Sequence, residues 1–269
     1  MANLISEKDV EVIKALFEEE MKGPVKISVF AEPAATLSMP GRPPTYNKEC
    51  QQLMEELSAL SDKITIEVID PGQQADIAEK FGIDKTPAVV IDSPAGNHNL
   101  RFYGLPGGRE FPNLLQGIVM ASQGKSGLAA NTKLALTKID KDIQIQVFTT
   151  PTCPYCPPLA SMALAMAQEN PHIKAEIVEI TEFPHVAAKY QIQGVPTVIL
   201  SDVLMFVGAV PEENFVDAVN QAYDKLRSPS LEIPRASSSG LELPGQQTPA
   251  KKRPPETTGG NSSGLIIAR

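Results

Sequence analysis

Cys153-Pro154-Tyr155-Cys156 places two thiols three residues apart, between the β-branched run IQIQVF and the helix-forming stretch LASMALAMAQ. The attacking species in disulfide exchange is the thiolate. Where a strand hands over to a helix, free backbone N–H groups and the positive end of the helix dipole stabilise that anion. Pro154 suits a first helical position, where a missing N–H costs nothing. The two-residue spacer lets the second thiol reach back and resolve a mixed disulfide. Cys153 is therefore the expected nucleophile and Cys156, one turn deeper, the resolving thiol. Tyr155 is expected to line the approach and contact substrate. Pro157 and Pro158 come late for a free first turn, so a distorted helix start is expected.

The competing chemistry for a CxxC pair is metal binding. A structural zinc takes four ligands. The third cysteine, Cys50, is unpaired, and His98, His172 and His185 stand at no ligand-like spacing. No metal and no cofactor beyond a redox-active Cys153–Cys156 disulfide is expected. The alternative from another class is a binding or scaffold protein whose CxxC holds a metal or an iron–sulfur cluster between two chains. A second feature is Gly194-Val195-Pro196-Thr197, which opens a β-branched run. Proline is allowed at a strand start, and a tight strand entry often takes a cis bond. Together with the CxxC, this favours a cis Pro196 that leaves the Val195 backbone open to pair with an extended substrate.

The elements that must position these residues occur twice. SEKDVEVIKALFEEEMKG has helical spacing, with Ser6 as N-cap and Gly23-Pro24 as a stop. A strand (VKISVF), a proline-rich loop, a helix through Cys50, a strand (ITIEVID), a short helix, a hairpin and a last helix follow. The order restarts after Lys125: VKISVF matches IQIQVF, and FGIDKTPAVVI matches YQIQGVPTVIL without a gap. Each unit reads α-β-α-β-α-β-β-α, an internal duplication. Such an order calls for an α/β fold, a central mixed sheet with parallel crossovers and a terminal hairpin, flanked by helices. The expected organisation is a first unit over 1–124, a second over 125–227, and a tail over 228–269. The 42 tail residues hold no aromatic and 18 Pro, Gly or Ser, a composition that reads as disordered. SLEIP, SGLELP and SGLIIAR interrupt it as candidate docking peptides.

The whole chain bounds the partners. Its 269 residues carry a net charge of −8, which argues against a nucleic-acid partner. No apolar run approaches a membrane span. The first residues lack a basic stretch followed by an apolar core, so a cytoplasmic rather than secreted protein is expected.

The two units, with FYGLPGGREF closing the first and VFTTPTCPYCPPLA opening the second, resemble the protein disulfide oxidoreductases, glutaredoxin-like proteins built from two thioredoxin folds. The resemblance covers roughly residues 5–227. More distantly, the chain is similar to the N-terminal domain of the flavoprotein component of alkyl hydroperoxide reductase. The resemblance implies two tandem thioredoxin-like folds, with Cys153 and Cys156 as the redox pair and Pro196 as the cis-proline beside it. Pro154, Tyr155, Val195 and Pro196 would contact substrate. Pro87 falls on the cis-proline of the first unit. Cys50 falls on the second cysteine of a first-unit CxxC whose first position is Asn47. An asparagine cannot form a mixed disulfide, so the first unit is expected to be redox-silent and Cys50 a core residue; the alternative is a third thiol uncovered by movement of the proline-rich loop.

Thr150 stands where many glutaredoxins carry lysine, and Val207–Glu212 lacks their Gly-Gly-x-Asp-like run. Both departures favour protein disulfides over glutathione as substrate. The implied partners are such proteins, a thioredoxin-reductase-like flavoprotein and, in an electron-relay reading, a peroxidase. The tail end also resembles cargo peptides of encapsulin shells. Val147 occupies the position of the buried thioredoxin aspartate, six residues before the nucleophile. Glu176 is then the candidate proton acceptor for Cys156, or else a solvated strand-face carboxylate.

Overall fold

The computed structural model describes residues 3–33, 46–92 and 98–227. The proposed tail and its fragments, and most of the proline-rich loop, lie outside these residues. The first half runs α1 (Glu7–Glu20), β1 (Val25–Phe30), α2 (Asn47–Ser58), β2 (Ile64–Ile69), α3 (Ala75–Phe81), β3 (Ala88–Asp92) and β4 (Leu100–Tyr103). A 3₁₀ turn (Gly108–Glu110) and α4 (Phe111–Gln123) close it. The second half repeats the order as α5 (Ala130–Leu136), β5 (Ile143–Thr149), α6 (Cys156–Glu169), β6 (Ile173–Glu179), α7 (Pro184–Lys189), β7 (Thr197–Leu200), β8 (Leu204–Val207) and α8 (Glu212–Arg227). Local signals act as expected: the Ser6 side chain accepts from the Asp9 N–H and caps α1.

The eight strands form one sheet in the order β2-β1-β3-β4-β6-β5-β7-β8. Each half contributes a parallel pair and an antiparallel hairpin. The halves join edge to edge where β4 pairs parallel with β6, Leu100 opposite Ala175 and Tyr103 opposite Val178. That pairing removes two free sheet edges, each of which would otherwise offer unpaired N–H and C=O groups.

Side-chain alternation divides the sheet into two apolar faces. One carries Ile27, Val29, Phe102, Ile145, Val147, Ala175 and Ile177, packed beneath α2, α4, α6 and α8, with α1 and α5 joining the same core. The other carries Phe30, Ala88, Tyr103, Phe148 and Val178 beneath the short helices α3 and α7. Strands covered on both faces read as near-continuous apolar runs, which is why VKISVF and IQIQVF lack strict alternation.

Candidate active site

The site lies at the C-terminal ends of the parallel strands. Beyond β5 the chain makes a tight turn in which the Cys153 N–H donates to the Thr150 carbonyl at 3.1 Å. Cys153 and Cys156 are joined by a disulfide, Cα to Cα 5.6 Å. Cys153 is 6% exposed and Cys156 wholly buried, while Tyr155 stands out at 67% exposed. Pro154 is exposed too. Both cysteines are thus buried, Cys153 the less completely of the two.

Two local expectations need correction. Pro154 is not the first helical residue; it sits in the turn, and α6 starts at Cys156. The later start brings Pro157 and Pro158 into the first turn, where their missing N–H groups have no intrahelical partner to lose. The distorted start expected for them is therefore not needed.

Val195–Pro196 is a cis peptide, and so is Thr86–Pro87 in the first half. The antiparallel register of β5 and β7 pairs Phe148 with Thr197. Continued one residue, it sets Pro196 beside Thr149, and Val195 beside the Thr150 that opens the cysteine turn. Val195 is half-buried and Gly194 exposed.

Glu176 cannot serve Cys156. Its neighbours Ala175 and Ile177 lie under α6, so alternation turns Glu176 to the opposite face. It is buried there, its Oε2 accepting from Gln146 Nε2 at 3.1 Å.

The carboxylate that does meet the active-site helix is Glu110, from the first half. It is 3% exposed. Asn113 Nδ2 donates both to Glu110 Oε2 at 2.8 Å and to the carbonyl of Pro157 at 3.0 Å, next to Cys156. Glu110 Oε1 has no hydrogen-bond partner. Burial raises the carboxyl's pKa, and the Asn113 hydrogen bond opposes this. A cavity of about 10 Å³, room for one water, is bordered by Glu110, Thr149 and Pro151. Glu110 sits in the FYGLPGGREF stretch, but a carboxylate just before a helix reads as an ordinary N-terminal charge. Only the packing of one half on the other reveals it.

The same stretch clasps the cysteine turn. The Arg109 N–H donates to the Pro151 carbonyl at 3.0 Å. Gly108 has φ +57°, and a Cβ there would lie 2.5 Å from that oxygen.

In the first half, Asn47 is wound into α2 as its first residue, and its Oδ1 accepts the Glu32 N–H at 3.0 Å. Cys50 is free and wholly buried. Burial, then the nearby Glu182 carboxylate, pushes its pKa up. Among the described residues no group of three or more His, Cys, Asp or Glu is arranged to hold a metal ion.

Known proteins share this arrangement in part. Residues 143–221 match a thioredoxin domain model, and residues 6–104 match a domain of unknown function, DUF7088. Thioredoxin of Methanocaldococcus jannaschii is 32% identical over 80 residues, 29% of this chain and 94% of that protein. The chain belongs to the thioredoxin family. It is also similar to the alkyl hydroperoxide reductase AhpF of Xanthomonas campestris, 28% identical over 63% of this chain, but spans only 30% of that protein's length.

Two solved structures match across both halves. The N-terminal domain of alkyl hydroperoxide reductase AhpF from Enterococcus faecalis gives a TM-score of 0.71 at 25% identity, covering 80% of this chain and 99% of that one. A protein disulfide oxidoreductase from Aeropyrum pernix gives 0.71 at 28% identity, covering 82% and 94%. A thioredoxin-family chain with its CxxC pair close enough to be disulfide-bonded is a thiol–disulfide oxidoreductase. No helix among the described residues is long and apolar enough to cross a membrane.

Proposed function

We propose that this chain exchanges disulfides with protein substrates through Cys153 and Cys156, with no cofactor beyond that pair. The observation that carries the reading is the close Cys153–Cys156 pair in a turn beside an exposed Tyr155, with Cys153 the less deeply buried of the two at 6% exposure. In the reducing direction the Cys153 thiolate attacks a substrate disulfide, forming a mixed disulfide and releasing one substrate thiolate. The Cys156 thiolate then attacks Cys153 Sγ, closing the enzyme disulfide and releasing the second substrate thiolate. Two electrons pass to the substrate, whose two thiolates take up protons. The oxidising direction is the reverse.

Pro154, Tyr155, Val195 and Pro196 frame the approach to Cys153, and none of them carries charge. Such a rim suits a polypeptide, whose backbone can lie along Val195, better than the charged tripeptide glutathione. Glu110 takes the proton-handling role for Cys156: it is a buried carboxyl with one unengaged oxygen and a raised pKa, tied by Asn113 to the residue after that thiol.

Insulin reduction driven by dithiothreitol tests this. The wild type should accelerate it, Cys153→Ser should abolish the acceleration, and Cys50→Ser should leave it intact. Acceleration that survives Cys153→Ser would defeat the reading. A second reading is favoured by the similarity to alkyl hydroperoxide reductase AhpF over 63% of the chain: the pair relays electrons from a flavoprotein disulfide reductase to a peroxidase. Peroxide turnover in a mixture of reductase and peroxidase that depends on adding this chain would support it. Turnover unchanged by the addition would remove it.

A further inference from the structure

Gly104–Glu110 forms a strap from the first half to the active site. Its far end rests on the cysteine turn, through Arg109 N–H to the Pro151 carbonyl. Its near end is held by Leu105, whose N–H donates to Glu182 Oε1 at 2.6 Å. Glu182 belongs to the second half, between β6 and α7, yet its carboxyl lies at the open end of α2 in the first half. The backbone of Tyr46, the residue capping α2, lowers this carboxyl's pKa, and Glu49 and Cys50 lie within its field. Helix α2 has no side-chain cap of its own.

Glu182 is 6% exposed and its Oε2 has no hydrogen-bond partner. Burying a carboxyl with one oxygen unengaged is costly. The chain also keeps glycine where the carboxyl needs space. At Gly104, φ +86°, a Cβ would lie 2.8 Å from both Glu182 Oε1 and Glu179 Cβ. The carboxyl is thus seated by backbone of the first half, at the mouth of the half-site that lost its nucleophile.

We propose that Glu182 is a positioning residue for the Cys153–Cys156 pair, acting through Leu105 and the Gly104–Glu110 strap. The proposal builds on the reading of that pair as an exchange centre. The path is contiguous: Glu182 fixes Leu105, the strap fixes Arg109, Arg109 fixes Pro151, and Pro151 lies two residues before Cys153. The groups facing the carboxyl are Glu179 from β6, and Glu49 and Cys50 from α2. Burial raises Glu182 to about 7; the Leu105 and Tyr46 backbones oppose this by favouring the charged form, and the Glu179 and Glu49 charges add to burial. In the neutral form Oε1 still accepts from Leu105. Ionisation sets a third carboxylate against Glu179 and Glu49 and loosens the seat as pH rises through that value.

Two readouts test this in the full chain: amide hydrogen exchange over 104–110 and 150–153, and the midpoint potential of the cysteine pair from about pH 5.5 to about pH 8.5, a range spanning the titration of a carboxyl raised by burial. Glu182→Ala should speed exchange in the strap up to about tenfold, the upper end of what one neutral hydrogen bond is worth, and should shift the potential. Glu182→Gln keeps an oxygen for Leu105 but cannot titrate. It should keep wild-type protection and lose the bend that the wild-type potential shows near neutral pH. Exchange and potential both unchanged in Glu182→Ala would overturn the proposal. If Glu182→Ala does not fold, Glu182→Gln decides: a potential–pH curve superimposable on that of the wild type contradicts the role. A shifted potential in a protein whose wild type fails to accelerate insulin reduction would sink the exchange reading and leave this role standing.

Discussion

At the scale of single residues, the three cysteines differ in surroundings more than in chemistry. Cys153 sits in a turn at 6% exposure, Cys156 opens a helix and is wholly buried, and Cys50 is wholly buried in the first-half core. A small, weakly polar thiol packs well in such a core. Its environment raises the Cys50 pKa, by burial first and then by Glu182, so little thiolate forms near neutral pH. Alkylation of the reduced native protein in mildly alkaline buffer should therefore label Cys153 rapidly, and Cys50 only at the rate of unfolding. Equal labelling rates at the two positions would show that Cys50 is reached without unfolding and would revive it as a third working thiol. The cysteine pair and the burial of Cys50 were legible because CxxC is local and a lone small thiol at a helical apolar position reads as core. Glu110 and Glu182 were not. Each is placed against the other half of the molecule, and nothing near either in sequence marks it.

At the scale of elements, most of the layout follows from apolar periodicity and turn residues. The repeat of VKISVF as IQIQVF and of KTPAVVI as GVPTVIL locates the strands and both cis-prolines. The start of α6 lies later than Pro154 suggests, because Pro154 and Pro157 both suit a helix beginning; only the geometry of the turn at Thr150–Cys153 chooses between them. The strap is the element that sequence periodicity passes over, being neither helix nor strand for most of its length. Gly108→Ala tests its part. The residue has φ +57°, and the added Cβ would meet the Pro151 oxygen at 2.5 Å. The variant should lose about 1–3 kcal/mol of stability in denaturant titration and slow insulin reduction. Gly127→Ala is the control: φ +71° with no atom within 4 Å. It should show the backbone cost without the loss of rate. Equal rates in the two variants would mean that the strap does not position the cysteine turn.

At the scale of the whole molecule, the two halves make one sheet rather than two beads on a string. The β4–β6 pairing fuses the halves, and α4 packs beside α6. The sequence announces two copies of a fold but contains no local signal for which edges meet, because edge pairing is set by matched register and shape between distant segments. Fusion brings the first half against the cysteine pair of the second, since its Gly104–Asn113 stretch hydrogen-bonds Pro151 and Pro157, on either side of that pair. One framework thus holds one disulfide, with Cys153 its less buried member, and one free, wholly buried cysteine.

Trapping with Cys156→Ser tests that division of labour most directly. Incubated with a protein disulfide and analysed by peptide mass spectrometry, the variant should accumulate a mixed disulfide on Cys153, with Cys50 unmodified. Cys153→Ser should accumulate none. An adduct on Cys50, or capture by Cys153→Ser at the rate of Cys156→Ser, would contradict the assignment of Cys153 as the attacking thiol.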